Sequence, residues 1–438
     1  MIPTLARLFS RILAAAALLC CVAPARSSVV TISRDTNSTN NSFILLRDGK
    51  PFFINGTGGT QRLTELVAAG GNSIRTWGIE SLDQPVDGKP LADRAQELGL
   101  GVTAGIWLGH EDDGFNYSDP AKLEAQRKMV REAVRKWKDH PAILIWGLGN
   151  EMEGPISDGT DPRIWKEVEV LAKIIKEEDT NHPVMTVIAG AKPGKVKGVL
   201  ENCPDIDILG VNSYAGASGV GGAVKQFGWN KPFILTEYGP PGHWEVPATS
   251  WGAPIEPSSW DKARNYYATY SLLMEKAKDI CLGSYVFLWG NKQECTSTWY
   301  GMFLKSGEKM PTVDAISRAW TGQWPEFRAP KITAFSTTPN IACQQVSPEQ
   351  TVEASVTAQD FQNLPLTYEW EVTGERLMVG VGGEAEPVPP SYPECVVSTN
   401  GNTATLKLPS KPGDYRLFVT VRNGKGGASK DNVPFRIK

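Results

Sequence analysis

The sequence has little net charge. Its 45 Lys and Arg stand against 48 Asp and Glu, leaving a formal net charge of −3, which gives no electrostatic case for nucleic acid or an anionic membrane as partner. Cysteine is sparse, with 7 in all, and no CxxC or HxxxH spacing occurs. A zinc site therefore has no ligand set to start from. Beyond residue 25 no apolar run is long enough to span a bilayer as a helix, and neither a low-complexity tract nor a short-period repeat is present. What remains is a globular composition, 41% hydrophobic and 21% charged, able to bury a core.

A length of 438 residues exceeds one ordinary small domain. An eight-stranded α/β barrel takes roughly 250, which leaves room for a leader and a second, smaller domain. Arg7 and Arg11 precede the apolar run at 12–19, and Ala23-Pro24-Ala25 places small residues where a signal peptidase reads. The expectation is a signal peptide over 1–25 without an anchor, hence a secreted protein, extracellular or periplasmic. Leu19 is too bulky to precede a lipidated cysteine at Cys20 or Cys21. Five cysteines follow: Cys203, Cys281, Cys295, Cys343 and Cys395. The last two share the C-terminal segment and are the candidates for a disulfide in an oxidising compartment. Sequons begin at Asn37, Asn40, Asn55 and Asn116.

From about residue 43 to 324 short apolar runs alternate with helical patterns, as βα units around a parallel sheet do. Asp48-Gly49 signals a hairpin, and 51–55 after it reads as barrel strand one. Strands two to eight read at 72–77, 101–108, 143–148, 184–188, 206–212, 233–236 and 283–289, with helices at 61–69, 120–138 and 162–178. Eight units at near-regular spacing predict an α/β fold, a (β/α)8 TIM barrel within 26–324. The composition shift beginning at Trp324 marks 325–330 as a linker. Residues 331–438 alternate strands at 351–357, 366–372, 403–408 and 415–421 with Gly/Pro/Asn turns, the pattern of a small all-β sandwich. Trp370 sits mid-strand, where a sandwich core would take it.

Polar residues at the C-terminal ends of barrel strands converge on one face. Strand two ends in Arg75, strand four in Asn150-Glu151, strand six in Asn212-Ser213-Tyr214, strand seven in Glu237-Tyr238 and strand eight in Trp289. Glu151 and Glu237 thus face each other across the barrel mouth. Cleaving a glycosidic bond needs such a pair, one acid to protonate the leaving oxygen and one carboxylate to attack or to activate water. The 14 Trp residues suit the same chemistry as flat platforms for sugar rings, although for any one of them core or rim packing is the commoner role.

The run Trp146-Gly147-Leu148-Gly149-Asn150-Glu151 resembles the Asn-Glu motif of clan A retaining glycosidases, especially the family 2 type. Residues 233–239, ending Thr236-Glu237-Tyr238-Gly239, resemble the nucleophile strand of that group, and the likeness runs over roughly 43–324. It implies Glu237 as nucleophile and Glu151 as acid/base, about 5 Å apart. Arg75 would hold Glu237 ionised, Asn150 would bond the sugar 2-hydroxyl, Tyr214 would contact the nucleophile and Trp289 would floor the subsite. Asn212 joins them as a supporting residue. Trp77, Trp107, Trp244 and Trp299 are candidate platforms, and His110, Glu111 and Glu294 candidate subsite contacts. Glu153 reads as a loop or subsite residue. No metal or organic cofactor is called for, because two carboxylates suffice.

Residues 413–421 resemble the final strands of immunoglobulin-like modules of the polycystic-kidney-disease type. Family 2 enzymes usually carry such domains before the barrel, whereas here the extra module follows it. An open cleft for a β-linked glycan, a glucan among the candidates, is thus as consistent as an exo pocket. The expected function is retaining hydrolysis. Transglycosylation by the same residues is the neighbouring alternative, and a non-catalytic carbohydrate-binding or cell-surface protein on a retired barrel is the other.

Overall fold

The computed structural model describes residues 27–35, 41–376, 383 and 386–438. The expected signal peptide and the sequons at Asn37 and Asn40 lie outside them. At the start, strand Val30–Arg34 pairs antiparallel with Phe43–Arg47, which turns back into the short strand Lys50–Pro51. Asp48 and Gly49 form the turn with φ of 52° and 75°, the left-handed pair that a tight hairpin of this twist requires. Pro51 stays in this hairpin opposite Leu46. The first barrel strand therefore begins at Ile54, three residues later than predicted.

The barrel strands are β1 (Ile54–Gly58), β2 (Ser73–Arg75), β3 (Gly101–Ile106), β4 (Ile143–Leu148), β5 (Val184–Ala189), β6 (Ile208–Asn212), β7 (Phe233–Tyr238) and β8 (Cys281–Val286). They form one closed, parallel sheet in chain order, with β8 pairing β1. Every residue of β3, β4, β7 and β8 is buried, as expected of a sheet covered on both faces. The helices are α1 (Leu63–Ala68), α2 (Leu91–Glu97), α3 (Pro120–Trp137), α4 (Pro162–Glu178), α5 (Pro193–Asn202), α6 (Val220–Gln226), α7 (Ser259–Ala277) and α8 (Pro311–Thr321). Asp119 and Asp161 accept backbone N–H bonds at the starts of α3 and α4, each before a Pro at the first helical position, the arrangement that starts a helix cleanly.

Inside the barrel, Tyr285 reaches across to Ser73 Oγ (2.8 Å) and Thr103 Oγ1 (2.6 Å). Its ring lies on Gly56, where a Cβ would fall 2.3 Å from Tyr285 Cδ1, so only glycine fits there. At the N-terminal ends of the strands Val30 and Leu45 of the hairpin join Ile54, Ile145, Met185 and Ile208 in a buried cluster. The hairpin thereby closes the lower end of the barrel, and the C-terminal ends are left for a site.

After α8 the chain forms β9 (Lys331–Thr338), β10 (Gln345–Val346), β11 (Thr351–Gln359), β12 (Thr367–Gly374), β13 (Val396–Asn400), β14 (Thr403–Lys407), β15 (Gly413–Arg422) and β16 (Ala428–Ile437). Two four-stranded sheets result, ordered β9-β11-β14-β13 and β10-β16-β15-β12. They share a core that includes Val352, Val356, Trp370, Val372, Leu406, Leu417, Val419 and Phe435. The disulfide expectation is corrected: Cys343 and Cys395 are free thiols, as are Cys203, Cys281 and Cys295. Cys343 precedes β10 and Cys395 precedes β13, edge strands of different sheets. The sequon at Asn55 is likewise engaged, its Oδ1 accepting from Tyr270 Oη of α7 (2.9 Å).

The sandwich is fastened to the barrel by polar groups, most of them buried. Arg328, in the connecting stretch, has its guanidinium 3.7 Å from the Trp324 ring centroid and 3.5 Å from that of Phe361. Arg416 of β15 donates to Pro254 O (2.7 Å), and Asp431 of β16 accepts from the N–H and hydroxyl of Ser259. Glu256, in the loop after β7, accepts from Lys262 (2.6 Å), Thr296 (2.7 Å), Thr298 (2.9 Å) and Asn432 of β16 (2.6 Å). Burial pushes its carboxyl up, but Lys262 and the other donors bring it below the usual range. Replacing one partner of a buried pair strands the other charge at a cost of about 3–5 kcal/mol. Lys262→Met should destabilise the chain by that amount, read as a lower urea midpoint in equilibrium unfolding.

Candidate active site

The turn after β4 sets the site. Gly149 (φ 75°) and Glu151 (φ 55°) both occupy the left-handed region, which for a non-glycine residue costs about 1–3 kcal/mol and persists only where surroundings over-determine it. At Gly149 a Cβ would lie 2.0 Å from Met152 Sδ. The Glu151 N–H is held by Val187 O of β5 (2.9 Å). Across the mouth, the β6–β7 register shifts so that Asn212 pairs with Glu237 rather than Thr236. Thr236 then donates its hydroxyl to Asn212 Oδ1 (2.8 Å) and its carbonyl accepts from Arg75 (3.2 Å).

Four strand ends meet through Arg75. Its Nη1 donates to Glu237 Oε1 (2.8 Å) and its Nη2 to Asn150 Oδ1 (2.6 Å). A guanidinium has only donors, so Asn150 must turn its oxygen inward and its amide nitrogen toward the mouth. Glu237 is 6% exposed and accepts two further bonds, from Trp77 Nε1 (2.8 Å) and Tyr214 Oη (3.1 Å). Burial and the charge of Glu237 push the Tyr214 phenol well above its ordinary value, so it stays a neutral donor. Three donors around one carboxylate are what an ionised, acceptor-only group requires.

Glu151 has a different environment. Asn212 Nδ2 donates to its Oε1 (2.7 Å) and also to Asn150 Oδ1 (3.1 Å). Burial first, and Glu237 second, push the Glu151 carboxyl up to about 7, against the opposing Asn212 hydrogen bond. Two carboxylates with opposed surroundings at one barrel mouth form a proton-donor and carboxylate pair.

The residues around this pair divide. Trp107 and Trp244 are 43% and 53% exposed. Trp107 packs edge-on to His110, whose Nε2 pairs with Asn150 O (2.7 Å), and Trp244 packs edge-on to Tyr214. They flank the carboxylates on the Glu151 and Glu237 sides respectively. Glu111 is turned outward to Arg163 (3.3 Å). Three expectations need correction. Trp289 is fully buried, stacked with Trp320, with its indole N–H given to Arg62 O (3.1 Å), so it presents no face to a ligand. Trp299 is 1% exposed and donates to Pro241 O. Glu294 is 2% exposed and bridges Lys292 (2.7 Å) and the Gly383 N–H (2.9 Å), tying the loop after β8 to the sandwich segment. Trp77 is in the site, but through its N–H. Thr236 and Phe287 were missed. Phe287 packs edge-on against Trp77, Tyr214 and Tyr300, and no polar signal marks such a residue. Among the described residues no His/Cys/Asp/Glu group is placed to hold a metal, and no helix is long and apolar enough to cross a membrane.

Residues 93–243 match the family model for glycosyl hydrolases family 2, TIM barrel domain. A rat (Rattus norvegicus) β-mannosidase is 28% identical over 193 residues, covering 38% of this chain and 21% of that protein. A β-glucuronidase from Streptococcus agalactiae is 25% identical, covering 49% of this chain and 42% of its own. The chain thus spans less than half the length of these curated relatives. In fold it is similar to the crystal structure of a Bacteroides uniformis β-glucuronidase, with a TM-score of 0.50, 15% identity and coverage of 93% of this chain and 48% of that one. A family 2 β-galacturonidase from Eisenbergiella tayi, bound to galacturonate, gives a TM-score of 0.50 at 16% identity, over 68% of this chain and 54% of that one.

A hydrogen bond to a charged group contributes about 1.5–3 kcal/mol. Trp77→Phe, which removes the N–H given to Glu237 together with part of the ring that packs on Phe287, should lower stability by at least that amount, measured by chemical denaturation.

Proposed function

We propose that this chain is an exported retaining β-glycosidase, with Glu237 as nucleophile and Glu151 as acid/base. The observation that carries the reading is the unequal treatment of the two carboxyls. Glu237 accepts from Arg75, Trp77 and Tyr214, while burial and the charge of Glu237 push the Glu151 carboxyl up to about 7. The carboxylate of Glu237 attacks the anomeric carbon as the bond from that carbon to the leaving oxygen breaks. The electron pair departs with the oxygen, which takes the Glu151 proton. Water then gives a proton back to Glu151 and its oxygen displaces Glu237 from the sugar. The amide nitrogen of Asn150, freed by the inward turn of its oxygen, serves the sugar 2-hydroxyl. The names of the relatives, a β-mannosidase and a β-glucuronidase, support a β-glycoside as substrate. Exposed Trp107 and Trp244 on either side of the pair support a cleft that takes sugar on both sides of the cut bond. The C-terminal sandwich is proposed as an immunoglobulin-like module.

The purified chain should be screened against β-glucans, β-mannans, β-galactans and aryl β-glycosides, including glucuronides, with product lengths recorded. Glu237→Gln should abolish turnover of every substrate cleaved, and full retained turnover on an aryl glycoside would overturn the assignment. Because Glu151 must be protonated to act as acid, kcat/KM should fall as pH rises through about 7. In Glu151→Gln that alkaline limb should vanish, with kcat/KM on unactivated glycosides about 10²–10⁴-fold lower.

A further inference from the structure

A buried ion pair that this chemistry leaves unused lies under the Asn150-Glu151 turn. Lys195, in the first turn of α5, and Glu153 have fully buried side chains, with Nζ 3.1 Å from Oε1. Lys195 also donates to Gly154 O (2.7 Å), and Glu153 Oε1 accepts from the N–H of Ala189 at the end of β5 (2.8 Å). Glu153 Oε2 is buried without a hydrogen-bond partner. Burying such a pair is costly, and apolar residues of similar volume hold a core at least as well. Energetically, the pair is an odd choice for mere packing.

What it holds is the strained turn. Glu151 at φ 55° and Gly154 at φ 75° bound a segment gripped from β5 and α5. The Glu151 N–H is tied to Val187 O, Glu153 to the Ala189 N–H and Gly154 O to Lys195. All three ties lie within four residues of chain. They fix the direction in which the Glu151 side chain leaves the backbone.

We propose that Lys195 and Glu153 are positioning residues, a buried clamp that holds Glu151 where its carboxyl can reach the glycosidic oxygen. This rests on the reading of Glu151 as the general acid. A misplaced acid slows only those bonds whose leaving group needs a proton, whereas general loosening of the site slows all of them.

The test compares 2,4-dinitrophenyl with methyl β-glycosides of glucose, mannose and glucuronic acid. Dinitrophenolate departs without protonation, and methanol does not. In Lys195→Met/Glu153→Met, an apolar pair, kcat/KM on the methyl glycoside should fall about 10- to 100-fold, with that on the dinitrophenyl glycoside within about 3-fold of wild type. Lys195→Gln/Glu153→Gln, which removes both buried charges while keeping polar atoms in place, should show the same split in smaller degree and serves if the apolar double variant does not fold. Equal losses on both substrates, or none on either, would overturn the clamp. Glu151→Gln is run alongside. If it shows the split and the clamp variants do not, only this inference fails. If Glu151→Gln itself lacks the split, the acid assignment fails and the clamp with it.

Discussion

The ion pair between Arg75 and Glu237 is the constraint from which the rest of the mouth follows. A guanidinium that is 2% exposed has to spend its donors inside the protein, and it spends them on Glu237, the Thr236 carbonyl and Asn150. That fixes the Asn150 amide, which with Asn212 fixes what surrounds Glu151. One cation from the short strand β2 thereby organises residues from β4, β6 and β7.

The two carboxyls are chemically identical side chains made different by their neighbours. Glu237 receives bonds from a cation, an indole and a phenol. Glu151 receives one amide and otherwise faces burial and the field of Glu237. The asymmetry arises from donors at the ends of β2 and β6 acting on carboxyls at the ends of β4 and β7, so it belongs to the barrel as a whole rather than to the Asn-Glu dipeptide.

Much of this was legible in the sequence, because barrel strands are apolar runs and their ends are marked by the first polar residue. Arg75, Asn150, Glu151, Asn212, Tyr214 and Glu237 were all found by that rule, and the structure brings them together. Trp289 follows the same rule and misleads, since an aromatic at a strand end packs against α8 as readily as it faces the mouth. Glu294 misled for a different reason: its partners, Lys292 and Gly383, include one that lies some ninety residues along the chain. The strand-one offset arose because Pro51 continues a hairpin whose partner lies upstream. Glu153 read only as a loop or subsite residue, and Lys195 gave no signal of its own, as a lysine in sequence reads as surface. Only the fold shows both side chains sealed from water.

The seal between sandwich and barrel bears on how such a chain could be rebuilt. Asn432 completes the shell of Glu256, Arg416 reaches Pro254 and Asp431 holds Ser259 at the start of α7. Cutting between the two would leave a buried carboxylate and a helix start facing water. The segment 254–298 and the strands β15 and β16 therefore form one inheritable block: a graft that transplants the barrel alone carries half of a polar lock, and a fusion partner at the C-terminus must supply the other half or leave the rim around the β7 and β8 loops unsupported.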